Sequence, residues 1–439
     1  MTTFGPLFVP RELLDVVSGR AWLEAMLEFE SALARAEAQV GIVPSEAAAA
    51  ISERCDPGLY DFDDLLERGR AVGSPPEPLV RALREKVGGD AAGYVHWGAT
   101  SQDVMDTASM LVARGALDLV LVELEGVTAS LARLAEAHRS TPMAARTMLQ
   151  QALPTTFGLK AAGWLVAVLE SRGILGAVRE RLAVQFGGAA GTLAAVGEHG
   201  PAILRLLAED LGLAEPVLPW HTNRVRIAEL GAALATTSGV LAKIALDVVL
   251  LAQTEVDEAR EEIGGGSSTL PHKHNPIEST LARACARLVD GYASVLATGL
   301  EQEHERAAGA WHAEWEALSG ALAYAGGAAH AVGRAVGSLQ VDGERMQRNL
   351  GATDGLVLAE RVSFALATRY GRAESHDIVR EAASRVAASG RSLADELRED
   401  ERVGLSDSEL DALLDPATYL GSAEAFVDRA LDLYHSEGT

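Results

Sequence analysis

The sequence predicts an all-α protein of three helical domains: residues 1–103, a central bundle of five long helices over 104–349, and a smaller helical domain over 350–439. Three observations carry that prediction. Aromatic residues are only 5% of the chain while Ala, Leu and Arg abound, and few stretches alternate with the period of two that a half-buried strand needs. Apolar residues recur instead at three- and four-residue spacing over long stretches. At 439 residues the chain also exceeds the size at which one compact core stops growing, so more than one domain is expected.

In the first domain, Trp22, Met26, Phe29, Leu33 and Ala36 recur at helical spacing between Arg20 and Val40, with Glu and Arg between them. That is an amphipathic helix. Asp56–Asp64 is acidic and irregular, and Gly73-Ser74-Pro75-Pro76-Glu77-Pro78 reads as a loop, since prolines so close cannot sit in a helix interior. Thr100 and Asp103 have the spacing of a capping box, and the helix they open carries Leu117, Val120, Leu124, Val127, Leu131 and Leu134 in a 3-4 pattern.

Beyond Arg146–Gly158, Pro154 is expected to open a helix with Leu159, Trp164, Leu165 and Leu169 on its apolar side. After the Gly-rich stretch Phe186–Gly191, the turn Leu218–Arg224 leads into a helix expected from about Asn223 to Glu262, with Ile227, Leu230, Leu234, Leu241, Ile244, Val248 and Leu251 on one stripe. Forty residues at ~1.5 Å each give about 60 Å. Similar helices are expected from Pro276 to about Arg306 and from Trp311 to about Leu339. A monomer has no need of rods that long. Their wide apolar stripes and small residues, as in Ala321–Ala329, predict a bundle completed by other subunits. After Leu350 the helices shorten, with breaks at Gly371, Gly390 and Pro416.

The stretch richest in chemistry is Gly264–Pro276, Gly-Gly-Gly-Ser-Ser-Thr-Leu-Pro-His-Lys-His-Asn-Pro. Its glycines let the amides ahead of Ser267 and Ser268 curl into an anion-binding concavity. Pro276 suits the first helical position and Asn275 the cap before it, so the free amides of the following helix are expected to face the bound anion. Lys273 is one of only four lysines among 38 basic residues. A flexible Gly/Ser linker would rarely set Ser, Lys, Asn and Pro so tightly before a helix. Serine is a poor base in water, but amides and a helix N-terminus that stabilise an alkoxide would let Ser267 exchange a proton.

Gly266–Pro276 resembles the signature loop of the fumarase/aspartase superfamily, usually Gly-Ser-Ser-x-Met-Pro-x-Lys-x-Asn-Pro, and departs only in having Leu270 for the methionine. The resemblance implies that Ser267 takes or gives the proton α to a substrate carboxylate, with Ser268 beside it, and that Lys273 and Asn275 hold that carboxylate. His96-Trp97-Gly98-Ala99-Thr100-Ser101-Gln102-Asp103 is similar to the superfamily's first conserved segment, which assigns Thr100 and Ser101 to a substrate carboxylate and puts His96 at the same site. Arg146–Gly158 resembles the second, which includes Gln150. Here the chain departs: many members carry a histidine at the position of Met148 or of Gln151, so no acid for a basic leaving group is evident. In the resembling family the assembly is a homotetramer whose sites draw on several chains, without metal or organic cofactor.

His96–Asp103, Gln150–Trp164, Phe186–Gly191, Leu218–His221 and Leu414–Ala423 are similar to bacterial 3-carboxy-cis,cis-muconate cycloisomerases over nearly the whole chain. Adenylosuccinate lyases fit less well, because Arg306-Ala307-Ala308-Gly309-Ala310-Trp311-His312 lacks their substrate-gripping polar groups. The cycloisomerase resemblance implies a small polycarboxylate substrate whose own carboxylate, ionised at neutral pH, is the nucleophile. That choice removes the need for the missing histidines. A substrate with three carboxylates needs further cations, for which Arg146, Arg224 and Arg306 are candidates, each weighed against a structural ion-pair role. The rival enzyme reading is a lyase releasing fumarate from nitrosuccinate or, less well matched, from adenylosuccinate. The rival outside enzymes is a helical scaffold that inherited the fold, which the retained Ser267, Lys273 and Asn275 argue against.

The formal charge of −24 argues against nucleic acid as a partner. The first residues carry no basic-then-apolar leader and no run of about 18 uninterrupted apolar residues occurs, so a cytoplasmic protein without a membrane segment is expected. Cys55 and Cys285 lack metal-ligand spacing, and His272 with His274 has no evident third ligand. A Ser-His-Asp hydrolase would need Gly-x-Ser-x-Gly on a strand pattern that is absent.

Overall fold

The computed structural model describes residues 3–263, 265–266, 269–270 and 272–437. Among them the protein is all-α apart from short strands, which pair into three antiparallel ribbons. Five long helices dominate: Ser101–Ala137, Phe157–Glu180, Val225–Leu251, Ile277–Thr298 and Ala310–Gly337. The expected stripes are inside: Leu117, Val120, Leu124, Val127 and Leu131 are buried on the first, and every residue from Ile227 to Leu251 named above on the third.

The chain forms two compact units, one of Met1–Glu125, Glu170–Lys243 and Thr280–Gly333, the other of Gly126–Leu169, Ile244–Ser279 and Arg334–Thr439. In the first, the helix Gly19–Gln39 starts where the Ser18 hydroxyl accepts the Ala21 amide at 3.2 Å, and it buries Trp22, Met26, Phe29, Leu33 and Ala36. The expected loop at Gly73–Pro78 is only partly a loop. Pro76 and Pro78 lie in the first turn of the helix Pro76–Val87, where a missing N–H costs nothing.

The second unit contains two further departures. Pro154 opens no helix: Pro142–Thr147 and Gln150–Thr156 form a β-hairpin, and the helix begins at Phe157, with Thr156 Oγ1 accepting the Leu159 amide at 3.0 Å. A two-stranded ribbon tolerates proline because one edge of each strand needs no ladder hydrogen bond. The hairpin packs Ala144 against Leu350, Val357 and Leu358. The helix expected to reach Glu262 stops at Leu251, where the apolar stripe runs out; Asp257 turns left-handed (φ 50°) and Ala259–Glu261 pairs with Leu339–Val341. A separate cluster of Val362, Leu366, Ile378, Ala382, Leu393 and Leu397 forms the core of the C-terminal helices.

Phe157–Glu180 and Val225–Leu251 are long and apolar enough to cross a membrane by length and composition alone. The core helices of soluble proteins pass the same test. Lys160 and Asp247, 3.8 Å apart, form an ion pair between these two helices.

Candidate active site

In the first unit, the segment before the helix Ser101–Ala137 is held by one buried carboxylate. Asp103 Oδ2 accepts the amides of Thr100 (3.0 Å) and Gly188 (2.9 Å), and Oδ1 accepts the Gly187 amide (2.9 Å) and His221 Nε2–H (2.7 Å). Asp103 is 0% exposed, so these donors replace its entire hydration. Half of the expected capping box is thereby present. Gly188 must be glycine: its φ is +66° and a Cβ would lie 2.7 Å from the Gly98 carbonyl. Gln102 extends the arrangement, donating to the His221 carbonyl (2.8 Å) and accepting from Arg306 Nε (3.1 Å). Thr100, Ser101 and Arg306 therefore share one rigid neighbourhood.

His96 belongs to the same segment, with a left-handed backbone (φ 61°). Its Nδ1 lies 2.6 Å from Oε1 of the buried Glu30. Burial opposes the charged imidazole, but the charge and hydrogen bond of Glu30, with Asp103 beyond, outweigh it and hold the pKa above the ordinary histidine value.

Arg224 is a candidate for which the sequence left both a substrate contact and a structural ion pair open. Its guanidinium is 1% exposed and bonded to Asp106 (2.8 and 3.0 Å) and Glu314 (2.5 and 3.1 Å). Burial opposes its charge and the two carboxylates more than restore it, so Arg224 is a fixed interior cation with its donors already committed.

In the second unit, Arg146 is likewise engaged, both terminal nitrogens reaching Glu258 at 2.8 and 2.7 Å, with Glu258 0% exposed. Gln150 stands exposed at the hairpin tip, just after Met148 and Leu149, which are 97% and 79% exposed and both left-handed (φ 49° and 65°). Gln151 spends its amide on the Asn349 carbonyl at 2.9 Å.

Of the signature loop, Gly265–Gly266 pairs with His274–Asn275, closing it as a hairpin. Lys273 is exposed and Asn275 half-buried. Ser267 and Ser268 lie outside the described residues. The helix that follows begins at Ile277, one residue later than expected, and two of its first amides are already taken. Glu261 accepts the amides of Glu278 (3.0 Å) and Ser279 (2.9 Å), so the protein supplies its own carboxylate there.

Sequence reasoning missed Asp103 as a hub and His221 as its partner, and missed Glu30, Glu258 and Glu261 altogether. Only Asp103 left a trace, the capping-box spacing; the others meet partners far away in the chain. Among the described residues no group of three or more His, Cys, Asp or Glu side chains is placed to hold a metal ion.

The family described as "Lyase" matches residues 12–291, and that described as "Adenylosuccinate lyase C-terminus" matches residues 355–430. The chain belongs to the fumarase/aspartase superfamily of lyases. Within that superfamily it is 47% identical to a 3-carboxy-cis,cis-muconate cycloisomerase of Pseudomonas aeruginosa, over 99% of this chain and 97% of the relative. It is 45% identical to a nitrosuccinate lyase of Streptomyces davaonensis, over 94% and 91%. Among solved structures, the 3-carboxy-cis,cis-muconate lactonizing enzyme from Pseudomonas putida superposes with a TM-score of 0.94 at 41% identity, covering 100% of both chains. The likeness thus extends over nearly the whole chain.

Proposed function

We propose that this chain is a cycloisomerase that converts 3-carboxy-cis,cis-muconate to a carboxymuconolactone without metal or organic cofactor. The observation that carries the reading is full-length likeness to enzymes named for that substrate, at up to 47% identity. One carboxylate of the substrate closes on an alkene carbon, the alkene electrons move toward the neighbouring carboxylate, and Ser267 delivers a proton to the α-carbon. Solvent then reprotonates the serine. Thr100, Ser101, Lys273 and Asn275 hold the carboxylate that accepts the electron density, which favours the aci-carboxylate form. Met148 and Gln151 fit this chemistry, since the nucleophile is ionised already and no amine or hydroxide departs. Arg306 and His96 are the cationic groups beside Thr100 and Ser101; Gln150 completes the set from its hairpin. Arg146 and Arg224 serve the scaffold.

The likeness to a nitrosuccinate lyase supports a second reading, release of fumarate, because nitrite is a leaving group that needs no acid either. One experiment separates them. Loss of the muconate diene's ultraviolet absorbance on adding chelator-treated enzyme, abolished in Ser267→Ala, supports the cycloisomerase. A flat trace together with fumarate formed from nitrosuccinate overturns it in favour of the lyase.

The assembly we propose is a homotetramer with shared sites. Val225, Leu246, Ile277, Leu288 and Val295 are exposed on the long helices, an apolar cost that a larger bundle would remove. The hairpin tip at Met148–Leu149 combines exposed apolar side chains with a left-handed backbone, as suits a segment that reaches into a neighbouring chain.

A further inference from the structure

The first unit contains a cavity of about 380 Å³ that the proposed reaction does not use. Its floor is buried and apolar, with Trp22, Met26, Met105 and Tyr324 at 6% exposure or less. Aromatic rings form the walls: Phe62, Tyr292 and Trp315. Two glycines let these rings approach. A Cβ on Gly19 would lie 2.4 Å from the Phe62 ring, and one on Gly320 2.5 Å from the Tyr292 ring. Close-packed interiors rarely leave a space this large, which is instead within the range of small-ligand pockets.

The polar groups restrict what could enter. Among the described residues no Lys or Arg lines the cavity, whose ionisable side chains are Asp63 and Glu316, both exposed carboxylates, and the exposed imidazole of His312. A polycarboxylate substrate would be repelled. Ser319 Oγ accepts the Trp22 indole N–H at 2.9 Å and keeps its own proton to donate, and the Trp315 indole N–H is buried without a hydrogen-bond partner. Met105 follows Ser101 by one helical turn, so the cavity is close to the Thr100–Ser101 segment in the fold. We propose that this cavity is a second ligand site, which takes an uncharged, phenol-sized aromatic molecule.

The test is a ligand-detected NMR titration of the full-length protein with p-cresol and, separately, p-toluate, which have similar rings but differ in charge. It uses no substrate, so its result is independent of the reaction assigned above. Saturable p-cresol binding with a Kd on the order of 1 mM or tighter is expected, with p-toluate at least about tenfold weaker. Ala323→Phe, which fills the cavity, should weaken p-cresol by about tenfold or more. Glu316→Lys, at an exposed position, should tighten p-toluate while leaving p-cresol unchanged. Absence of saturable p-cresol binding, p-toluate binding as tightly as p-cresol, or indifference of both ligands to Glu316→Lys would each overturn the proposal.

Discussion

Arg224 shows how the value of a single charge depends on what surrounds it. Two carboxylates engage it along adjacent edges, Glu314 at Nε and Nη2 and Asp106 at Nη1 and Nη2, and Trp311 Nε1 donates to Asp106 at 3.0 Å. Replacing Arg224 with Met would strand both carboxylates in a dry interior. Such a loss typically costs about 3–5 kcal/mol. A clear fall in the thermal unfolding midpoint is expected, and Arg224→Lys should not rescue it, because a single ammonium cannot engage both partners in parallel. An unchanged midpoint would show that water reaches the pair. His96 is a different case: Glu30 fixes one ring nitrogen and favours the charged form, which suits a group beside a substrate carboxylate.

At the scale of the element, two helices each hold a position whose substitution is a test. Gly158 lies in the first turn of Phe157–Glu180, and a Cβ there would come within 2.5 Å of Arg139 Cα and 2.6 Å of the His138 carbonyl. Those are backbone atoms that cannot swing aside. Gly158→Ala should therefore cost about 2 kcal/mol or more, read as a lowered unfolding midpoint with the hairpin and helix start most affected in hydrogen exchange. In the helix Gly19–Gln39, Glu37 is 0% exposed with neither oxygen hydrogen-bonded. Burial, and then the nearby Glu30, push its pKa up to about 9. Folded Glu37 thus holds its proton where the unfolded chain has released it. Its contribution is intact below pH 4.5 and is lost as pH rises toward 9, by up to about 1.4 kcal/mol per unit. Relative to Glu37→Gln, the wild type should lose unfolding temperature steadily across that window. A constant offset between the two would mean that Glu37 is ionised in the fold.

For the whole molecule, the question is how many chains make one site. Ser267→Ala and a Thr100→Val, Ser101→Ala double variant should each be inactive alone. If one site takes Ser267 and Thr100 from different chains, co-refolding equal amounts should restore about a quarter of wild-type activity, since half the sites receive each native segment. No recovery in a mixture shown by light scattering to be tetrameric would place both segments in the same chain. A monomer at micromolar concentration would remove the shared site altogether.

The amino-acid sequence by itself was enough for the helical class, the five rods, the buried stripes and the superfamily, because helical periodicity is local and the Gly-Ser-Ser loop is contiguous in the chain. It also offers Thr100, Ser101 and Lys273 as candidates for the chemistry, which activity measurements on their variants would test. Tertiary structure alone decided the rest. Pro154 lies in a hairpin because its partner strand and the surface of Leu350 and Val357 override its preference for a helix start. The long helix ends at Leu251 because Leu339–Val341 is there to pair with Ala259–Glu261. Arg146 and Arg224 form ion pairs, and the amides of Glu278 and Ser279 are taken by Glu261, because their carboxylate partners come from segments far apart in the chain. Periodicity reports which face of a helix is buried. It cannot report which distant carboxylate that face will meet, and an arginine's charge is either spent or available according to that meeting.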